Sequence, residues 1–237
     1  MVETVTAVCR VLLRGSSFPS VVRTTTGRRF VMKLSAAGPG RRALATEYVA
    51  LRLAHSLSLN VPDVAVLHLP SDLPWLAGTD EFYEAVQRSA GLNLGIRLIP
   101  DAVDLKAADL ASMPGQFASR LGGIDALLQN VDRTAANPNV VRDRSGAHWA
   151  IDFGACLLID RLARGVVEPR LGLPPNHFLS GSAWPMHSIR ELAAAIEEEH
   201  LAATVSELPE AWLEELALPR EKLLSRLRAY LESIRAT

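Results

Sequence analysis

Asp132, Asn137 and Asp152 are the residues whose types and spacing point most directly to chemistry. Asp132 and Asn137 bracket Asp132-Arg133-Thr134-Ala135-Ala136-Asn137, and Asp152 sits in Ile151-Asp152-Phe153-Gly154. Between them, residues 138–151 read as strand, turn, strand: Val140-Val141-Arg142, then Asp143-Arg144-Ser145-Gly146, then Ala147-His148-Trp149-Ala150-Ile151. A four-residue hairpin loop over 143–146 pairs Arg142 with Ala147 and, continued down the ladder, Asn137 with Asp152. Facing residues of an antiparallel pair have Cα atoms about 4.5–5.5 Å apart and side chains on one face, so both groups can grip one cation. Carboxylate and amide oxygens suit magnesium, which prefers hard ligands and usually also holds a substrate phosphate. Asp132 lies one short loop away, placed to act as a base or to position an acceptor hydroxyl.

Transfer of a phosphoryl group asks a protein mainly to hold phosphates still and to neutralise their growing charge. A strand lysine fixed by a helix carboxylate is one part of such a device. Lys33 and Glu47 occur in that order, with Lys33 on the strand face it shares with Val31 and Arg29. Glu47 falls on a helical stripe of Leu44, Tyr48, Leu51 and Ala54, where an isolated charge is costly and an ammonium partner relieves the cost. Gly15, Ser16 and Ser17 lie in a small-residue loop, and their backbone N–H groups are candidates to cover the phosphates. Plainer readings stand beside these: Lys33 as a solubilising charge on an edge strand, and Glu47 as a surface carboxylate on a helix turned differently.

The elements that must carry these residues are legible in the hydrophobic pattern. Strands are expected over 4–13 and 20–25 around the small-residue loop, and over 28–34 ending near Lys33. A helix follows the Gly-rich break at 36–40 and runs over 41–57. A strand over 61–69, a helix over 80–89 and a strand over 92–99 around Gly95 come next, and 100–102 forms a hinge. Phe117, Leu121, Ile124 and Leu128 mark a helix over 116–129 that leads to Asp132, although Gly122-Gly123 weakens it. Residues 155–182, with Pro169, Pro174 and Pro175, read mostly as loop, and loops often carry substrate contacts. Three closing helices are expected over 188–201, 209–216 and 219–234, two of them opened by proline.

The chain has 237 residues, 49% hydrophobic and 22% charged, enough for one large domain or two closely packed lobes. Its formal charge of −1 presents no broad positive field to nucleic acid or an anionic membrane, so neither is expected as a partner. Two cysteines suggest neither a disulfide framework nor a metal cluster. The N-terminus lacks the pattern of a secretion signal, and no run reaches the roughly 18 apolar residues of a membrane helix, so a soluble cytoplasmic protein is expected.

The segment Asn130-Val131-Asp132-Arg133-Thr134-Ala135-Ala136-Asn137-Pro138-Asn139, with Trp149-Ala150-Ile151-Asp152-Phe153-Gly154-Ala155, resembles the catalytic segment of HipA-like kinases. So does Gly91-Leu92-Asn93-Leu94-Gly95. The resemblance implies an α+β, two-lobed protein-kinase-like fold. Its N-lobe, 1–99, has an antiparallel sheet with a helix, and its C-lobe, 100–237, is mainly helical with a metal-site hairpin. It implies a kinase using ATP and magnesium on serine or threonine, with Asp132 as catalytic base, Asn137 and Asp152 as metal ligands, and Lys33 as the phosphate lysine paired with Glu47. Asp-Phe-Gly replaces the Asp-His-Gly of short family members and leaves the metal ligand intact. Larger toxin members carry more N-terminal sequence and pair with a small DNA-binding antitoxin. This chain lacks room for that addition, and a toxin role is not expected.

Alternatives remain at the level of sequence: a small-molecule kinase acting on a metabolite or antibiotic, or a nucleotide-binding pseudokinase that works by shape. Arg133 fits a phosphate or Asp132 contact, or a solvated loop arginine. His177 fits a substrate contact, or a half-buried loop histidine. Glu197-Glu198-Glu199-His200 reads as a solvated helix face, because consecutive residues point to different sides.

Overall fold

Strands rich in Val, Thr and Leu open the chain: β1 (Val2–Val11), β2 (Ser20–Thr24) and β3 (Arg29–Lys33), followed later by β4 (Val64–Leu69) and β5 (Gly91–Arg97). The computed structural model describes residues 2–12, 18–75, 79–181 and 187–237. The five strands close into a barrel in the order β1-β2-β3-β5-β4. The wholly antiparallel sheet expected from the sequence is corrected here, because β1 pairs in parallel with β4 through Val2↔Val66 and Thr4↔His68. Register shifts in β1 at Val5/Ala7 and Val8/Arg10 explain the closure. Such bulges bend a strand and increase its twist, which lets one half of β1 stay on β2 while the other reaches β4.

Helix α1 (Arg41–Ser56) crosses between the barrel and the helices that follow. Its stripe is wider than the four expected residues: every side chain from Leu44 to Leu51 is buried, as are Leu53 and Ala54. A helix buried nearly all round has neighbours on both sides, which matters for Glu47. Helix α2 (Asp80–Arg88) lays Phe82 into the smaller barrel core, with its N-terminus capped by Thr79.

Past residue 100 the chain forms a short strand β6 (Val103–Asp104), a 3-10 helix (Ala107–Ser112) and α3 (Gly115–Leu128). Gly123 in α3 has a packing reason. A Cβ at Gly123 would lie 2.7 Å from the His187 carbonyl and 2.8 Å from Leu192, so glycine permits the close approach of that segment. Strands β7 (Val140–Arg142) and β8 (His148–Ala150) form the expected hairpin, extended to three strands by β6. The remaining regular elements are helices: α4 (Leu158–Ala163), α5 (Ile189–Ala195), α6 (Glu198–Ser206), α7 (Glu210–Glu215) and α8 (Arg220–Ala236). Two expectations change. Helix α4 occupies part of the expected loop, and the single helix over 188–201 is broken where Ile196 and Glu197 take extended backbone angles. No glycine or proline marks that break. Ile196, only 3% exposed, turns into the core, so tertiary packing overrides helical propensity. Among the described residues no helix is long and apolar enough to cross a membrane.

Candidate active site

Lys33 ends β3 with its Cα opposite Leu94 of β5. Strand alternation buries Phe30 and Met32 in the barrel and turns Val31 and Lys33 toward α1. The Lys33 Nζ donates to both Glu47 oxygens, at 2.8 and 2.7 Å, and to Asp152 Oδ1 at 2.9 Å. Glu47 is 1% exposed and Oε1 also accepts from the Phe153 N–H at 3.3 Å. The edge-strand and surface readings of these two residues are thereby set aside.

The electrostatics of this trio follow from burial and pairing. Burial alone would lower the Lys33 pKa, but attraction to Glu47 and Asp152 outweighs it and keeps the ammonium protonated. Burial pushes the Glu47 carboxyl up from the ordinary range, against the pull of Lys33. Asp152 goes the other way. Burial would raise its carboxyl, yet Lys33 and then Arg133 hold it below the usual range, so it stays ionised.

The hairpin delivers Asp152 by a different register from the expected one. Pairs are Val140↔Ala150, Val141↔Trp149 and Arg142↔His148, and the ladder continues with the Ile151 N–H donating to the Asn139 carbonyl at 2.9 Å. The loop is 144–146, closed by the Asp143 N–H to the Ala147 carbonyl at 3.0 Å. Gly146 takes φ 88°, the left-handed residue of a three-residue hairpin loop. Asp143 organises it: Oδ1 accepts from the Ser145 N–H, the Ser145 hydroxyl and the Ala147 N–H, and Oδ2 accepts from the Trp149 indole. Asn137 and Asp152 are therefore one step out of register with each other, a correction to the facing pair. Asp152 and Asn139 both adopt positive φ, 57° and 49°, so regular strand alternation ends before Asp152.

Asn137 is joined instead to Asp132. Its Nδ2 donates to Asp132 Oδ2 at 2.8 Å, and the loop between them is tied by the Asn137 N–H to the Thr134 carbonyl at 3.1 Å. That bond leaves the Asn137 carbonyl oxygen turned away from the carboxylate. Asp132, Asn137 and Asp152 offer oxygen donors only. Such a set fits magnesium, which takes one or two carboxylates and completes its shell with phosphate and water, better than it fits a zinc site. Among the described residues no group of three or more His, Cys, Asp or Glu is gathered as a metal cage. Gly15, Ser16 and Ser17 lie outside the described residues.

Arg133 is the residue that sequence reasoning placed least well. It is fully buried, and the solvated-loop reading is overturned. Its Nε donates to Asp125 Oδ2 at 2.6 Å, and Nη1 donates to the carbonyls of Pro138 and Asn139 at 2.9 and 2.7 Å. The guanidinium lies 4.8 Å from the Phe153 ring centroid. His177 is also buried, with Nε2 3.0 Å from Asp125 Oδ2. Asp125 was missed, yet its signal equals that of Glu47: it lies four residues after Leu121 and three before Leu128, a carboxylate on an apolar helical stripe.

Comparisons with known proteins bear on the family and the fold of the chain. A family model described as HipA-like kinase matches residues 5–236. Among solved structures, the Helicobacter pylori proinflammatory kinase CtkA is similar in fold, with a TM-score of 0.57 and 12% sequence identity over 96% of this chain and 93% of that one. No curated protein matches the chain.

Proposed function

The chain belongs to the HipA-like kinase family, and from that premise we propose that it transfers the γ-phosphate of ATP, bound with magnesium, to a serine or threonine hydroxyl of a protein or peptide. In this reading the barrel with α1 forms the nucleotide-binding lobe, residues 1–99, and residues 100–237 form the lobe that brings the acceptor.

The observation that carries the reading is the Lys33 ammonium held between Glu47 and Asp152. A lysine fixed in this way is pre-positioned for the nucleotide phosphates, and the ionised Asp152 beside it lies where a phosphate-bound cation would sit. Lys33 would steady the phosphates, Asp152 and Asn137 would hold magnesium, and bound magnesium would supply charge neutralisation for the transferred group. Asp132 accepts the acceptor's proton, and the amide of Asn137 fixes its carboxylate for that task. Gly15, Ser16 and Ser17 are assigned to cover the phosphates.

Labelled ATP with magnesium, incubated separately with protein extract and with a metabolite pool, tests the reaction and the acceptor class together. Label is expected in protein, on serine or threonine. Label confined to small molecules would overturn the acceptor assignment. Asp132→Asn is expected to slow transfer by about 10²–10⁴-fold, the contribution typical of a general base, without loss of ATP binding. Transfer at the wild-type rate in Asp132→Asn or in Asp152→Ala would remove the role given to that residue.

A further inference from the structure

Asp125 makes three sets of contacts from one buried carboxylate at the end of α3. Oδ1 accepts from Asn130 Nδ2 at 3.0 Å, and the Asn130 Oδ1 in turn accepts the backbone N–H of Asp132 at 3.2 Å. Oδ2 accepts from Arg133, whose other arm gathers the carbonyls of Pro138, Asn139 and Ile151, the last at 3.4 Å, at the base of the hairpin that ends in Asp152. Oδ2 also meets His177. The Leu179 N–H donates to His177 Nδ1 at 3.1 Å, so the proton sits on Nε2 and is donated to Asp125. A bridge between Thr134 and His177, and the Phe178 N–H donating to the Arg133 carbonyl at 3.2 Å, lay this segment beside the loop that carries Asp132.

We propose that Asp125 is a positioning residue that sets the catalytic loop, the Asp152 strand and the 174–181 segment relative to one another, and that His177 is the link through which that segment holds Asp132 in place. The proposal rests on the roles given above to Asp132 and Asp152. The charge count supports it: one buried carboxylate against one buried guanidinium balances, so the neutral histidine adds a directed hydrogen bond without a third charge. A side chain kept only to fill space would not need three donor side chains drawn from two separate segments. The segment next to Asp132 is also where an acceptor would lie, with Pro175 and Asn176 exposed just before the buried His177. Docking of an acceptor peptide there is therefore transmitted to the Asp132 backbone.

Two substitutions at His177 separate its two contacts. Gln places an amide N–H near the position of Nε2 and keeps the donor to Asp125, whereas Asn places an amide oxygen near Nδ1 and keeps only the contact to Leu179. Hydrogen exchange is read at 130–139 and 174–181, together with ATP–magnesium affinity and turnover of labelled ATP. For His177→Asn, exchange is expected to quicken about tenfold or more in both segments, while turnover falls at least about tenfold and nucleotide affinity changes by less than about threefold. His177→Gln is expected to stay near wild type in all three. Asp125→Asn, checked for folding by circular dichroism, is expected to lose at least as much as His177→Asn, because it also unpairs Arg133, and the double variant to be no worse than Asp125→Asn alone. Faster exchange confined to 174–181, additive losses in the double variant, or equal behaviour of Gln and Asn would overturn the proposal. Should wild-type protein bind and turn over no ATP, the kinase roles fall, and the exchange results alone decide whether Asp125 couples the segments.

Discussion

Glu47 and Lys33 are costly to bury separately and tolerable together. Glu47 is almost wholly enclosed, and the Lys33 side chain is 12% exposed, so removing either leaves a charge with little solvent. Glu47→Leu is expected to lower the free energy of unfolding by about 1–3 kcal/mol, short of the range for an uncompensated buried charge because Asp152 still pairs with Lys33. Adding Lys33→Met should recover part of that loss, since Asp152, 47% exposed, can then be solvated. Urea titration of the two singles and the double checks this, and a double variant no more stable than the worse single would contradict it. The same double variant is expected to remain inactive, because stability can be restored with apolar atoms and a phosphate-binding ammonium cannot.

The hairpin formed by β7 and β8 shows how an element sets a site. Its loop is fixed by Asp143, whose carboxyl is lowered to about 2 by hydrogen bonds from Ser145 and then Trp149, burial opposing. With the folded pKa below the unfolded one, the stabilisation is fully present above the ordinary aspartate range and is lost as pH falls through about 2. The Trp149 indole N–H resonance is therefore expected to shift with a midpoint near 2, and the shift should vanish in Asp143→Asn. A midpoint near the ordinary value of 3.8 would show that the loop bonds do not form in solution. The element also explains why the register lies one residue from expectation. The turn residues were recognised, but Asp143 pairs with Ala147 across a three-residue loop because Gly146 supplies the left-handed step. Strand alternation then fails at Asp152, whose positive φ aims its carboxylate at Lys33.

Across the whole molecule, α1 is held by the C-terminal helices as well as by the barrel. The Tyr48 hydroxyl donates to Glu207, Arg42 pairs with Asp160 of α4, and the Tyr48 and Trp212 rings meet edge to face at 6.4 Å. Trp212, fully buried, also donates its indole N–H to the Leu92 carbonyl of β5 at 3.4 Å. One residue of α7 thus touches both the helix that carries Glu47 and the strand opposite Lys33. Trp212→Ala is expected to cost about 3–5 kcal/mol, as large aromatic truncations in cores do. Barrel and helices should still unfold in a single transition, because the core around α1 takes in Val66, Leu94 and Ile96 of the barrel strands together with the C-terminal helices. Two separated transitions in the wild-type protein, seen by calorimetry, would contradict that coupling.

The order and types of Lys33, Glu47, Asp132, Asn137 and Asp152, and the helices and strands that carry them, were fixed by local information: polar groups in recognisable spacing and apolar residues at periods of two and 3.6. Closure of the barrel, the break at Ile196, the burial of Arg133 and the gathering of Asn130, Arg133 and His177 around Asp125 were decided only in three dimensions. Each depends on which surfaces meet across long stretches of chain. A residue's own type and its near neighbours say that a charge sits on a buried stripe, whereas the partner that neutralises it is chosen by packing.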